Sequence, residues 1–271
     1  MQRIAGAVRR TPVLRLNCMK DAPGGLRELW LKLELLQVTG SFKARGAINK
    51  LRSLSAAEVG RGIVTASSGN HGLAVAYAGY MAQVPTVIYL PEPVPAAKVD
   101  KLYRWGARIE RVGQVWDDSN DAALAHAEKT AMTYIHPFAD DAVIAGQGTV
   151  ALEIFDELAD VDTLLVAIGG GGLISGVSLA AKAVNPSIKV IGIEPIGAPT
   201  LKNSLEAGKV ISLPEIHTKA ATLAPRASAQ INFDITAVYE TELVPSGTSY
   251  RLVNRGARER NNSWERLGYE I

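Results

Sequence analysis

The chain has 271 residues, 47% of them hydrophobic and 21% charged, with 29 basic against 27 acidic side chains and a formal net charge of +2. That length supports a sizeable core arranged as one two-lobed unit, and so small a positive balance gives no footing for nucleic acid or a membrane surface. Cys18 is the single cysteine, which excludes an intramolecular disulfide and points to a reducing cytoplasm; no apolar run approaches the ~20 residues that cross a bilayer and no signal-like apolar core follows Met1, so a soluble protein is expected.

Taken in chain order, residues 29–33 read as the first strand. The stretch Gly40-Ser41-Phe42-Lys43-Ala44-Arg45-Gly46-Ala47 then leads into a helix over 44–54. It sets one lysine at a loop-to-helix junction between an aromatic residue and small ones. A partly desolvated lysine amine loses its proton near neutral pH and attacks carbonyls; the plainer alternative is a solvated surface charge. A strand over 62–65 enters Ser67-Ser68-Gly69-Asn70-His71-Gly72, followed by a helix over 73–83. Amides at such a helix start favour a carboxylate or phosphate, and a simple N-cap by Ser67 or Ser68 is the alternative.

Next come a strand over 86–90, the rigid connector Pro91-Glu92-Pro93-Val94-Pro95, a helix over 96–105 that Pro95 suits as its first turn, a strand over 107–112 and a helix over 120–130. A helix over 150–158 precedes a strand over 163–168, which runs into Gly169-Gly170-Gly171-Gly172 and a helix over 173–184. Four glycines make physical sense where several amides wrap an anion. Gly170, Gly172 and Ser175 also approximate a dinucleotide fingerprint, with Glu194 ending the next strand (190–193) where a ribose-binding acid would stand; that reading suggests a nicotinamide dehydrogenase. Strands alternating with helices predict an α/β protein with parallel sheet covered on both faces, and both glycine turns fall at strand C-terminal ends, where such sheets bind ligands.

A dehydrogenase has no use for Ser-Phe-Lys followed by Ser-Ser-Gly-Asn-His-Gly. The three motifs together, over residues 4–223, resemble the fold-type II pyridoxal phosphate enzymes, in the serine/threonine dehydratase and serine racemase branch. The resemblance implies two open parallel-sheet lobes with the site in the cleft: a large cofactor domain of residues 1–50 and 137–271 and a small mobile domain of 51–136. It further implies that Lys43 forms the imine with pyridoxal 5'-phosphate. Phe42 would pack beside the ring, Asn70 would bond its 3-hydroxyl oxygen, and the amides of Gly169, Gly170, Gly171 and Gly172 would bind its phosphate. Ser67, Ser68, Gly69, Asn70 and His71 would hold the substrate carboxylate, with Ser68 matching the acid/base hydroxyl of racemase relatives. Gln147-Gly148-Thr149 would form a site-lining loop before a helix.

The activity implied is loss of the β-hydroxyl and amine from threonine or serine, giving an α-keto acid and ammonia. Racemisation, or cofactor binding without turnover, are the alternatives. A cytoplasmic homodimer acting on a small amino acid is implied too, with no nucleic acid and no membrane. Glu194 matches a glutamate that helps hold a divalent cation in racemase relatives, but the partner positions hold Ala198, which can offer a carbonyl, and Thr200 in place of an acid, which weakens a cation site there; no metal ligand is assigned. His126, His136 and His217 lack metal-ligand spacing and are expected to be solvated or structural. After Thr222-Leu223-Ala224 the chain departs from the family with Pro225-Arg226 and a basic, polar stretch over 253–262. Pro245-Ser246-Gly247 resembles a family turn, with Ser246 as partner of the pyridine nitrogen.

Overall fold

The computed structural model describes residues 1–16 and 28–238 and the backbone of 242–246. Cys18, Gly247, the Ser246 side chain and the 253–262 stretch lie outside the described residues.

An antiparallel ribbon of β1 (Val13–Arg15) and β2 (Trp30–Lys32) comes first, so the strand expected over 29–33 does not join a parallel sheet. After α1 (Lys43–Leu51), the chain forms α2 (Ala56–Arg61), closed by a capping box in which Ser55 and Glu58 exchange hydrogen bonds. Then follow β3 (Ile63–Ala66), α3 (Asn70–Ala82), β4 (Thr86–Leu90), α4 (Ala96–Tyr103), β5 (Arg108–Arg111), α5 (Trp116–Thr130) and β6 (Thr133–Tyr134). The second half contains α6 (Asp141–Glu157), β7 (Thr163–Ala167), α7 (Gly172–Val184), β8 (Lys189–Pro195), α8 (Thr200–Ala207), α9 (Gln230–Val238) and β9 (Glu242–Ser246).

Two parallel sheets result, in the order β5-β4-β3-β6 and β7-β8-β9. The first is covered on both faces. Ile63, Ile88 and Leu90 pack into the core shared with α1, α3 and α4, while Val64, Ala66, Val87 and Tyr89 pack against Ala123 of α5. In the second, Leu164, Val166, Ile168 and Val190 face α6 and α7 through Val150, Ala151, Ile174 and Val177.

Helix α6 begins nine residues before the helix expected from residue 150, so Gln147-Gly148-Thr149 is interior helix and not a loop. Asp140 caps it, accepting from the amides of Ala142 at 2.9 Å and Val143 at 3.0 Å. The glycines that interrupt its apolar pattern are where helices touch. A Cβ on Gly146 would lie 2.6 Å from the Arg45 carbonyl of α1, and one on Gly148 would lie 2.7 Å from the Gly176 carbonyl of α7. Helix α6 is thus in main-chain contact with both neighbours.

Polar groups lock the same layer. Arg45 of α1 is fully buried. Its guanidinium bonds Glu34 at 2.7 and 2.8 Å and Glu153 of α6 at 2.6 and 2.8 Å, and Lys32 adds a 2.8 Å contact to Glu153. Two bidentate pairs leave no lone charge in the interior, the condition under which a buried ion cluster is tolerated.

Candidate active site

Lys43 opens α1 with Phe42 at the N-cap. Its Nζ lies 5.3 Å from the Phe42 ring centre and donates to the Pro137 carbonyl at 2.6 Å. Burial pushes the amine down to about 8. The neutral fraction at physiological pH is thereby raised far above that of a solvated lysine, which is what a nucleophilic amine requires.

The 67–72 turn begins where β3 ends. Neither serine caps α3: Gly69 holds the N-cap position and Ser67 Oγ accepts from the Gly69 amide at 3.2 Å. Ser68 Oγ makes no hydrogen bond to a described residue, and Asn70 is exposed with its carboxamide equally uncommitted. The first amides of α3 have no intrahelical acceptor and carry the positive end of the helix dipole. The His71 ring, by contrast, is committed through one nitrogen, while its buried Nδ1 has no partner among the described residues. Its Nε2 lies 2.9 Å from the Ile135 carbonyl, so that nitrogen carries the proton. Burial first, and then the charge of Lys43, push the ring down to about 3, which keeps it neutral. Two further side chains tie down the strand end: Thr65 Oγ1 donates to the same Ile135 carbonyl at 2.8 Å, and the Trp116 indole N–H donates to the Ala66 carbonyl at 2.9 Å.

The tetraglycine turn joins β7 to α7. Gly171, at φ +97°, is the N-cap of α7, a left-handed position that favours glycine. Side chains on its neighbours would collide: a Cβ on Gly172 would lie 2.9 Å from the Phe138 Cα, one on Gly170 would enter the Phe138 ring, and one on Gly169 would lie 3.0 Å from the Thr222 carbonyl. The run of four glycines therefore answers to close packing as well as to free amides. The Pro137-Phe138 segment stands between Lys43 and this turn, with Pro137 touching the first and Phe138 the second. Sequence reasoning missed Phe138 and Trp116, and also Ser228 and Asn232, both of which bond the Gly170 carbonyl; no local pattern marks any of them.

His136 is structural, as expected. Its Nδ1 accepts from the amides of Phe138 at 3.2 Å and Ala139 at 2.8 Å, and burial, with a smaller effect of the Lys43 charge, pushes it down to about 4. Glu194 is neither a ribose acid nor a carboxylate with idle oxygens. Both oxygens accept from the amides of Leu201 and Lys202 at 2.8 Å, so it caps α8; burial still raises it to about 7 against those bonds.

A cofactor with an aldehyde and an anionic tail fits these residues: a buried amine pushed down to about 8, an aromatic wall at Phe42, and a run of glycine amides at a helix N-terminus. Comparison with known proteins agrees. A family model described as pyridoxal-phosphate dependent enzyme matches residues 4–261, which carries the likeness past the point near residue 223 where the motifs end. The L-threonine ammonia-lyase of Thermotoga maritima is 41% identical over 241 residues, 89% of this chain and 60% of that protein. A serine racemase of Oryza sativa subsp. indica is 43% identical over 223 residues, 80% of this chain and 64% of that protein. The solved structure of maize serine racemase gives a TM-score of 0.87 at 37% identity, covering 91% of this chain and 74% of that one. The chain spans about 60% of the length of the ammonia-lyase and about 64% of that of the rice racemase. Among the described residues no helix is long and apolar enough to cross a membrane. With its two parallel sheets, its lysine and its glycine cradle, this chain belongs to the pyridoxal-phosphate dependent enzymes and has the fold-type II architecture.

Proposed function

We propose that this chain is a pyridoxal-phosphate dependent dehydratase that converts a β-hydroxy amino acid such as threonine or serine to an α-keto acid and ammonia. The observation that carries the reading is the Lys43 amine, brought to about 8 by burial and held between the Phe42 ring and the Pro137 carbonyl. When bound, the cofactor supplies an aldehyde for amines and an electron sink that makes the substrate α-proton acidic. Lys43 would anchor it, and its Nζ, when free, would take the substrate α-proton. The amides of Gly169, Gly170, Gly171 and Gly172 hold the phosphate at the N-terminus of α7. Asn70, whose carboxamide is uncommitted, would bond the ring hydroxyl oxygen. The substrate carboxylate is received by Ser67, Ser68 and the amides of Gly69, Asn70 and His71 at the N-terminus of α3; His71 contributes its main chain, since its ring is engaged with Ile135.

A second reading, racemisation, is favoured by one observation. Ser68 Oγ has no partner among the described residues, which leaves a proton donor available for the face opposite Lys43. We further propose residues 51–136 as the unit that closes on substrate, and a homodimer as the assembled form.

The test is Lys43→Ala. Wild-type protein incubated with pyridoxal 5'-phosphate and reduced with borohydride is expected to carry the cofactor on Lys43 in a peptide map; the variant is expected to carry none and to release no ammonia from serine or threonine. Full turnover by the variant overturns the assignment. Ammonia release against stereochemical inversion, followed across β-hydroxy amino acids, separates dehydratase from racemase.

A further inference from the structure

Four consecutive glycines make the least constrained turn a chain can carry, because each has the widest backbone freedom to lose on folding. Amides aimed at an anion need a fixed backbone. Something outside the turn must hold it, and here that is α9. Asn232 is fully buried. Its Nδ2 donates to the Gly170 carbonyl at 2.9 Å and to the Phe138 carbonyl at 3.2 Å, while its Oδ1 accepts from Ser175 Oγ at 3.0 Å. Ser228 Oγ donates to the same Gly170 carbonyl at 3.1 Å. The fit is steric as well: a Cβ on Gly171 would lie 2.8 Å from the Asn232 Cβ.

One carboxamide therefore joins three pieces: the turn at Gly170, the first turn of α7 at Ser175, and the Pro137-Phe138 segment whose Pro137 carbonyl holds Lys43 Nζ at 2.6 Å. Both of its N–H donors and its oxygen are spent on these contacts. A buried amide is tolerated only when bonded in this way, and an apolar side chain would fill the same space without that demand.

We propose that Asn232 is a positioning residue for the cofactor phosphate: it fixes the Gly170 carbonyl so that the amides of 169–172 converge on the anion. This rests on the reading that the tetraglycine turn receives the phosphate. The role falls on the phosphate end and not on the aldehyde end, so two ligands that differ only in the phosphate distinguish it from general structural support.

The experiment titrates the cofactor-free full chain with pyridoxal 5'-phosphate and, in parallel, with pyridoxal, following absorbance. Asn232→Ala and Asn232→Asp are expected to raise the Kd for the phosphorylated ligand about tenfold, as for loss of a buried hydrogen-bond donor, and to leave that for pyridoxal within about twofold of wild type. Ser228→Ala, which removes one of the two donors to Gly170, is expected to shift the same ratio about threefold. Equal shifts for both ligands, or a lower thermal midpoint with the wild-type ratio, overturn the inference. If the Asn232 variants do not fold, Ser228→Ala decides by the same ratio. A wild-type protein that traps cofactor on Lys43 while the variants keep its ligand ratio sinks this inference alone; a wild type that traps none on Lys43 sinks the functional reading and this inference with it.

Discussion

Every residue of β3 and β4 is buried, whereas in β7 Leu164 and Val166 are buried while Leu165 and Ala167, on the opposite face, are exposed. Their register partners on β8, Ile191 and Ile193, are half-buried on that same face. Parallel strands are ordinarily covered on both sides. The β5-β4-β3-β6 sheet meets that requirement, and the 67–72 turn stands on it with two side-chain bonds for support. Among the described residues the β7-β8-β9 sheet meets it on one face, and the tetraglycine turn it carries is held from outside by Asn232 and Ser228. The lesson concerns where rigidity comes from: in one region it comes from the sheet, in the other from the α1-α6-α7 helix layer and the polar groups that lock it.

The largest expected effect probes that layer. Arg45→Ala leaves the half-buried Glu34 without its cation and the buried Glu153 with Lys32 alone, and is expected to cost about 3–5 kcal/mol in urea unfolding. A loss under about 1 kcal/mol, the scale of an exposed ion pair, would mean that α1 is held by its apolar contacts alone. Next comes a paired measurement on the two sheets. Ile88→Ala in β4 opens a cavity in a fully buried site and is expected to cost about 2–5 kcal/mol. Leu165→Ala in β7, where the side chain is 40% exposed, is expected to stay within about 1 kcal/mol. Similar losses at the two positions would erase the contrast.

A further effect is one of pH. Burial depresses the His71 ring to about 3 and the His136 ring to about 4, below the ordinary histidine value near 6.5. Because the folded values lie below the unfolded one, unfolding takes up protons in the window between them. The stability that goes with the neutral rings is therefore complete above about pH 6.5 and is lost as pH falls toward 4 and then 3, by up to about 1.4 kcal/mol per pH unit for each histidine. His71→Asn is expected to flatten that slope when urea midpoints at pH 7 and pH 5 are compared. An unchanged slope would show that His71 titrates normally in the folded protein.

Much of this was legible in the sequence because the signals are local. Continuous apolar runs marked β3, β4, β7 and β8, and the chemistry of Lys43, the 67–72 turn and the four glycines stands in contiguous residues. What was hidden depends on partners far along the chain. The first turns of α6 were missed because Gly146 and Gly148 replace apolar periodicity with main-chain contact, which leaves no hydrophobic mark. Glu194 suggested a ligand-binding acid, yet it caps a helix whose start lies several residues on. Asn232 is 62 residues from the carbonyl it holds, and a lone asparagine in a short helix gives no warning of that. The antiparallel partner of residues 30–32 was invisible for the same reason: β1 is three residues long, with two of them exposed.

The glycine contacts of α6 have a bearing on how such a scaffold diversifies. Where helices meet main chain to main chain, their separation is a property of the polypeptide itself, with no methyl group to add or trim at the point of contact. The helix that begins with Lys43 and the helix that follows the glycine bend are each gauged against the same third helix in this way. On the reading proposed above, the spacing between the two ends of the cofactor would then be set by backbone and not by side-chain size.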